Sequence, residues 1–193
     1  MQKPTRHHAP PPPEPLSFRP VTKASWDDFA VLFEAPGAPK YCWCMVWRRS
    51  AEEARLRDGS DRKRQMRERV DGGLPVGLLA YAAGTPVAWV SIAPRVTYRN
   101  LGGPVARPGE TIWSLACFYI TRSHRGHGFS HRLIAAAVDY AGENGASHVE
   151  AYPVDEASPS YRFMGFISAF AAAGFVEIGR AGTRRHVMRL GLG

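Results

Sequence analysis

The sequence predicts a mixed α/β fold in one domain, and three observations carry that prediction. Apolar runs of strand length alternate with segments of helical periodicity along most of the chain. A glycine-bearing turn, Arg125-Gly126-His127-Gly128, joins one of the strongest apolar runs to an amphipathic segment. The length of 193 residues, with 45% hydrophobic and 22% charged side chains, fits one globular domain rather than a disordered or fibrous chain.

The elements follow in order. Residues 1–15, MQKPTRHHAPPPPEP, hold six of the sixteen prolines and almost no apolar side chains, so a disordered tail is expected there and the folded domain at 16–193. LSFRPV reads as a short strand. Ser25 is placed to cap a helix over WDDFAVLFEA, which carries acids in its first turn and stops at Pro36-Gly37. The charged stretch from Ser50 to Gly73 is expected to be helical, broken at Gly59. Two apolar runs flank Ala83-Gly84-Thr85 and predict a β-hairpin. TIWSLACFYIT reads as a buried strand. The segment from His131 to Gly145 reads as a helix with Leu133, Ile134, Ala137, Val138 and Ala141 on one face. HVEAYPV is a strand, SAFAAAG a short helix ending at Gly174, and FVEIGR and RRHVMRLGL two closing strands. The order is β-α-α-β-β-β-α-β-α-β-β, without internal repeats.

The formal charge is +8, which suits nucleic acid, a membrane surface or an anionic ligand. Residues 48–69 carry nine basic and five acidic side chains, a mixture expected of a solvated helix with i,i+4 pairs. No segment combines basic and aromatic residues in the manner of a nucleic-acid module, so no nucleic-acid partner is expected. No apolar run reaches the roughly 18 residues of a membrane span, and no signal-peptide core opens the chain. Three cysteines, Cys42, Cys44 and Cys117, cannot form a disulfide framework, which points to a reduced, cytoplasmic setting. Cys42-x-Cys44 lacks a partner pair of ligands, so no metal is expected. Cys117 reads as a small buried hydrophobe.

The turn at 125–130 carries the functional argument. A glycine turn that opens a helix leaves backbone N–H groups free, and the helix dipole favours an anion in front of them. Glycine lets the backbone approach a phosphate closely. Arg125 adds a forked donor, and His124, His127 and His131 surround the turn. The spacing lacks the third glycine of a dinucleotide fingerprint and the Gly-Lys-Ser/Thr of a P-loop.

Arg125-Gly126-His127-Gly128-Phe129-Ser130 resembles the acyl-CoA loop, R/Q-x-x-G-x-G/A, of the GNAT superfamily of N-acetyltransferases, with Ser130 in place of the usual Gly or Ala. The upstream strand, the following helix and strand, and the late helix with its Gly174-Phe175 turn are similar to the family in order, over about residues 17–190. The resemblance implies a central, mostly antiparallel mixed sheet with a splayed strand pair, flanked by helices. It implies acetyl-CoA as co-substrate, its pyrophosphate on the N–H groups of Gly126, His127, Gly128, Phe129 and Ser130 beside Arg125, and its pantetheine along Phe118 and Ile120. The reaction implied is direct transfer of the acetyl group to a primary amine.

An amine must shed a proton before it attacks, which calls for a base near the splay. Glu150, in an otherwise apolar strand, is the candidate, with Tyr152 on the same strand face; the competing reading is a structural pairing of Glu150 with an arginine and a core role for Tyr152. The family's frequent Tyr four residues before the late-helix glycine is Phe170 here, and thiolate protonation then falls to Tyr161 or water, or is unnecessary. Tyr41, Trp43 and Trp47 lie where the family has its variable substrate wall, against the alternative of core packing. A small-molecule amine, a metabolite or amino-bearing antibiotic, is the first expectation for the acceptor. A protein or peptide amine is the alternative within enzymes, and a non-catalytic acyl-CoA-binding module the alternative outside them. Dimers are common in the family, though no surface legible in the sequence identifies one.

Overall fold

The computed structural model of the protein describes residues 15–193. The Pro-rich segment expected as a tail falls almost wholly outside the described residues. Seven strands form one sheet in the order β1-β2-β3-β4-β5-β7-β6. They are β1 (Leu16–Pro20), β2 (Leu78–Ala82), β3 (Thr85–Pro94), β4 (Ile112–Ile120), β5 (His148–Ala151), β6 (Val176–Ala181) and β7 (Arg185–Gly191). All neighbours pair antiparallel except β4 and β5. The helices are α1 (Trp26–Glu34), α2 (Gly59–Asp71), α3 (Phe129–Glu143) and α4 (Ile167–Ala172).

The hairpin forms at the expected place. Ala83 (φ 46°) and Gly84 (φ 81°) both take positive φ, as a two-residue hairpin turn of matching twist demands. Ser25 differs from expectation. It heads α1, but its hydroxyl donates to the Pro20 carbonyl at 2.9 Å and accepts from the Thr22 N–H at 2.9 Å, so it secures a preceding 3₁₀ turn instead of capping α1. The charged stretch is a 3₁₀ turn (Glu53–Arg55) and then α2, which starts at Gly59 because the Asp58 carboxylate accepts from the Ser60 N–H. Its charges pair among themselves and with neighbours: Arg64 with Asp61 and Glu68, Arg67 with Asp71, and Arg69 with Glu53.

Two apolar layers cover the sheet. On one face Leu133, Ile134, Ala137 and Ala141 of α3 pack with Phe170 of α4 on Val90, Ile92, Leu115 and Val149. On the other face Phe29 and Phe33 of α1, with Trp43 and Met66, pack on Leu79 and Trp89. The second face continues as a cluster of Tyr98, Leu101, Ala116, Tyr152, Met164 and Val187.

The strand expected over HVEAYPV is shorter, ending at Ala151. Pro153 has no N–H for a ladder, and Val154 instead bridges Phe166 and Arg185. β4 and β5 are therefore in register over only four residue pairs, from Ile112↔His148 to Leu115↔Ala151. Beyond Leu115, β4 runs on to Ile120 with β3 on one side and no strand partner on the other among the described residues. This is the splayed strand pair.

Candidate functional site

β4 delivers the chain to the glycine turn. A 3₁₀ turn (Arg122–His124) follows the strand and the Thr121 N–H donates to the Val87 carbonyl at 3.0 Å. His124 is locked by Thr121 Oγ1 at 2.8 Å from its Nδ1 and by its ring's packing on Phe129. Arg125 turns back so that its Nε–H donates to the Ile120 carbonyl at 3.0 Å. Its guanidinium is thus moored where β4 ends.

Gly126 (φ 79°) and Gly128 (φ 72°) adopt the left-handed conformation, and a Cβ at either would meet nothing within 4 Å. The glycines are there for backbone conformation, and the space before them is open. Gly128 sits at the N-cap of α3 with no side-chain cap. Among the described residues, the N–H groups of Gly126, His127 and Gly128 donate to no backbone carbonyl. Phe129 is buried and anchors the helix start, while Gly126, His127 and Gly128 are exposed. Exposed, unpaired donors at the positive end of a fifteen-residue helix form an anion cradle.

The cradle adjoins the open edge of β4. Ser91 pairs with Cys117 and Ile92 with Leu115, so Ala116 is an extra residue, a β-bulge. From there Cys117, Phe118, Tyr119 and Ile120 are half-buried, whereas Ile112 to Ala116 are buried. Phe118 and Ile120 face the α3 layer, and Cys117 and Tyr119 face the α1 layer. Phe118 packs on Phe170, which is fully buried with no polar neighbour role in its ring.

Glu150 lies next to the last β4–β5 pair, on the face away from α3. It is fully buried. Oε1 accepts from Arg189 Nε at 3.1 Å and Nη2 at 2.7 Å. Oε2 accepts from Arg95 Nη1 at 3.0 Å and the Tyr152 hydroxyl at 2.9 Å. These four donors engage the roughly four lone-pair sites of a carboxylate. Tyr152 is also fully buried and bonds Ser114 Oγ at 3.0 Å. Burial, and then the Glu150 charge, raise its pKa well above the ordinary phenol value. Arg95, Ser114 and Arg189 were not read as site residues from sequence. The one signal was an arginine inside the otherwise apolar run Val187-Met188-Arg189-Leu190.

The structure separates the three aromatics of the expected wall. Trp43 is 2% exposed and stacks with Trp26 and Phe33 in the core. Tyr41 is exposed, and together with Trp43, Lys63 and Glu34 it borders an open hollow of about 400 Å³ away from the cradle. Trp47 alone turns to the β4–β5 region, packing against the cluster of Ala116, Tyr152 and Met164 and on the ring of Tyr161.

The thiols gather behind β4. Trp89 Nε1–H donates to Cys44 Sγ at 3.1 Å. Burial opposes ionisation of Cys44, but the Cys117 S–H, the indole N–H and the Arg48 charge together hold its pKa below the ordinary thiol value. Burial pushes Cys42 up to about 11. Among the described residues no group of three or more His, Cys, Asp or Glu could hold a metal ion, and no helix is long and apolar enough to cross a membrane.

Comparison with known proteins agrees with this geometry. A search of curated protein sequences finds no match. Among solved structures, an uncharacterised Bacillus halodurans protein superposes with a TM-score of 0.62 at 14% identity, covering 91% of this chain and 83% of that one. An aminoglycoside N-acetyltransferase in complex with CoA superposes with a TM-score of 0.57 at 15% identity, covering 91% and 97%. A ribosomal-protein-S5-alanine acetyltransferase from Vibrio fischeri gives 0.54 at 12% identity, covering 91% and 92%. At these identities the likeness is one of fold. The model of the acetyltransferase (GNAT) family matches residues 29–166, most of the domain, and the chain belongs to that family.

Proposed function

We propose that the protein transfers an acetyl group from acetyl-CoA to the primary amine of a small molecule. The observation that carries this reading is the meeting of two features at one place. The uncapped, glycine-opened start of α3 offers donors for a pyrophosphate, and the partnerless edge of β4 offers a strand-like track for an extended amide-bearing arm. Arg125, tied to Ile120, stands between them. The residues present therefore fit acetyl-CoA, which supplies the acetyl group as a thioester. Phe118 and Ile120 line the track, and Gly126, His127, Gly128, Phe129 and Ser130 form the cradle. The Ala116 bulge interrupts the β3–β4 ladder beside the gap and frees backbone donors to stabilise negative charge developing on the thioester oxygen.

In this reading Glu150 and Tyr152 position rather than react. Every acceptor site of Glu150 is engaged by a donor, and neither side chain reaches solvent. The amine proton then leaves to water at the open side of the gap. The leaving thiolate needs no protein acid, which agrees with a phenylalanine at position 170. The aromatic surroundings of Trp47 and Tyr161 support a small acceptor.

The buried Phe170 and the engaged Glu150 favour one rival, an acyl-CoA-binding module without catalysis. A thermal-shift titration with acetyl-CoA, followed by an assay of free CoA thiol over an amine panel, tests both. A ligand at about 100 times its dissociation constant stabilises a fold by roughly 2.7 kcal/mol. A saturable shift with thiol release supports the enzyme, and a shift without release over the whole panel supports the module. No shift up to millimolar acetyl-CoA removes both.

A further inference from the structure

Arg185 is a half-buried cation without an acid. It opens β7 opposite Val154, beyond the end of β5 and thus beside the gap. Its guanidinium lies 4.5 Å from the Trp47 ring centroid and 5.4 Å from that of Tyr161. Its Nη1 donates to the Leu101 carbonyl at 2.7 Å. None of the ion pairs among the described residues includes Arg185. Burial lowers its pKa, opposed only by the phenols of Tyr161 and Tyr152, with no carboxylate acting on it. On the same side of the sheet Arg95 and Arg189 meet Glu150 and Arg69 meets Glu53, while Arg48, also without an acid, is held by the Val76 carbonyl and the Ser91 and Tyr98 hydroxyls.

A donor at the same corner lacks any acceptor. The Trp47 Nε1–H is shielded from water and has no hydrogen-bond partner among the described residues. A buried donor left unpaired is costly, and native structures pair nearly all of them. A cation without an acid, an unpaired indole N–H and two aromatic rings thus converge where Trp47 packs on the cluster that includes Ala116, the bulge residue of β4.

We propose that Trp47, Tyr161 and Arg185 form the acceptor subsite and that the acceptor is a primary aliphatic amine bearing an aromatic ring and a carboxylate. This rests on the acetyl-transfer reading above. The planar guanidinium forks onto a carboxylate, and one fixed positive charge matches one negative charge. The Trp47 and Tyr161 rings hold the flat apolar body, and the amine is left pointing at the gap.

The test uses a matched pair of acceptors, L-phenylalanine and phenethylamine, which differ by the carboxylate, and a non-reacting probe, 3-phenylpropionate. The wild type is expected to release CoA thiol with phenylalanine at a KM at least about 10-fold below that for phenethylamine. Arg185→Gln raises the KM for phenylalanine about 10- to 100-fold, so that the ratio falls toward one, and Arg185→Lys recovers part of it. 3-Phenylpropionate raises the melting temperature of the wild type but not of Arg185→Gln, with both forms keeping their CoA affinity and circular dichroism. Equal use of the two acceptors, an unchanged ratio in Arg185→Gln, or no stabilisation of the wild type by 3-phenylpropionate overturns the proposal. If 3-phenylpropionate discriminates wild type from variant while no amine yields thiol, the carboxylate site stands and the acetyl-transfer reading falls.

Discussion

Arg189 forks onto one oxygen of Glu150, with Nε at 3.1 Å and Nη2 at 2.7 Å, while Arg95 and Tyr152 hold the other oxygen. The carboxylate thereby ties β5 to β7 and to the turn that follows β3. Removing one member of a buried pair strands the remaining charges, which typically costs 3–5 kcal/mol. Glu150→Gln is expected to lose about 3 kcal/mol or more in urea unfolding. A Glu150→Gln protein of wild-type stability whose turnover drops by orders of magnitude would restore Glu150 as the base.

Tyr152 sets an alkaline limit. Its pKa is raised in the folded protein, so the folded state keeps a proton that the unfolded phenol gives up near 10. The folded state binds more protons there, and stability falls as pH rises. Tyr81, raised by burial and by its hydrogen bond to Asp28, acts in the same direction. Cys42, pushed up to about 11, adds a loss that begins near the ordinary thiol value, so the urea midpoint is expected to decline from about pH 9 and more steeply above about 10. Tyr152→Phe should lessen that decline; an identical slope in the variant would assign it elsewhere.

Arg125→Glu separates binding from folding. The side chain is exposed and its one hydrogen bond lies at the surface, so stability should change by about 0.5 kcal/mol or less. CoA affinity, read by calorimetry, should fall on the order of 100-fold, because a donor becomes a like charge beside the proposed pyrophosphate cradle. Unchanged affinity would remove the cradle assignment.

Gly165→Ala probes the floor of the proposed β4 track. Gly165 has φ 87°, and a Cβ there would stand 2.9 Å from Phe170 Cε2 and 3.0 Å from Phe118 Cε2. Left-handed strain adds roughly 1–2 kcal/mol and overpacking against two rings a similar amount. A loss of about 2 kcal/mol or more in unfolding is expected, with weaker CoA binding because Phe118 must shift. Gly126→Ala, at φ 79° with open space, should show the backbone strain alone.

Much of this was legible because local periodicity decides local structure. The hairpin at Ala83-Gly84, the α3 stripe and the glycine turn each follow from residues adjacent in sequence. What the sequence concealed depends on distance or on irregular backbone. The arginine partners of Glu150 come from positions 39 and 55 residues away, so an arginine pairing could be weighed but Arg95 and Arg189 could not be singled out. The aromatic segment at 41–47 has no helical or strand period. Trp43 and Cys44 take φ 48° and 51°, which turns Trp43 into the core and leaves Trp47 to face the gap. Ser25 shows that a capping residue can serve the preceding turn when the chain enters through a 3₁₀ segment.

The short β4–β5 register has a mechanical consequence. The ladder joins strands β1–β4 to β5–β7–β6 through four residue pairs only, and side-chain contacts such as Ser114–Tyr152, Phe118–Phe170 and Arg185–Leu101 complete the joint. A ladder this short is expected to let the two parts of the sheet open with different free energies. Amide hydrogens of β6 and β7 should exchange ahead of those of β2 and β3. An extended ligand lying in the seam acts as a splint, so its binding should slow exchange in both units together, including strands it never touches.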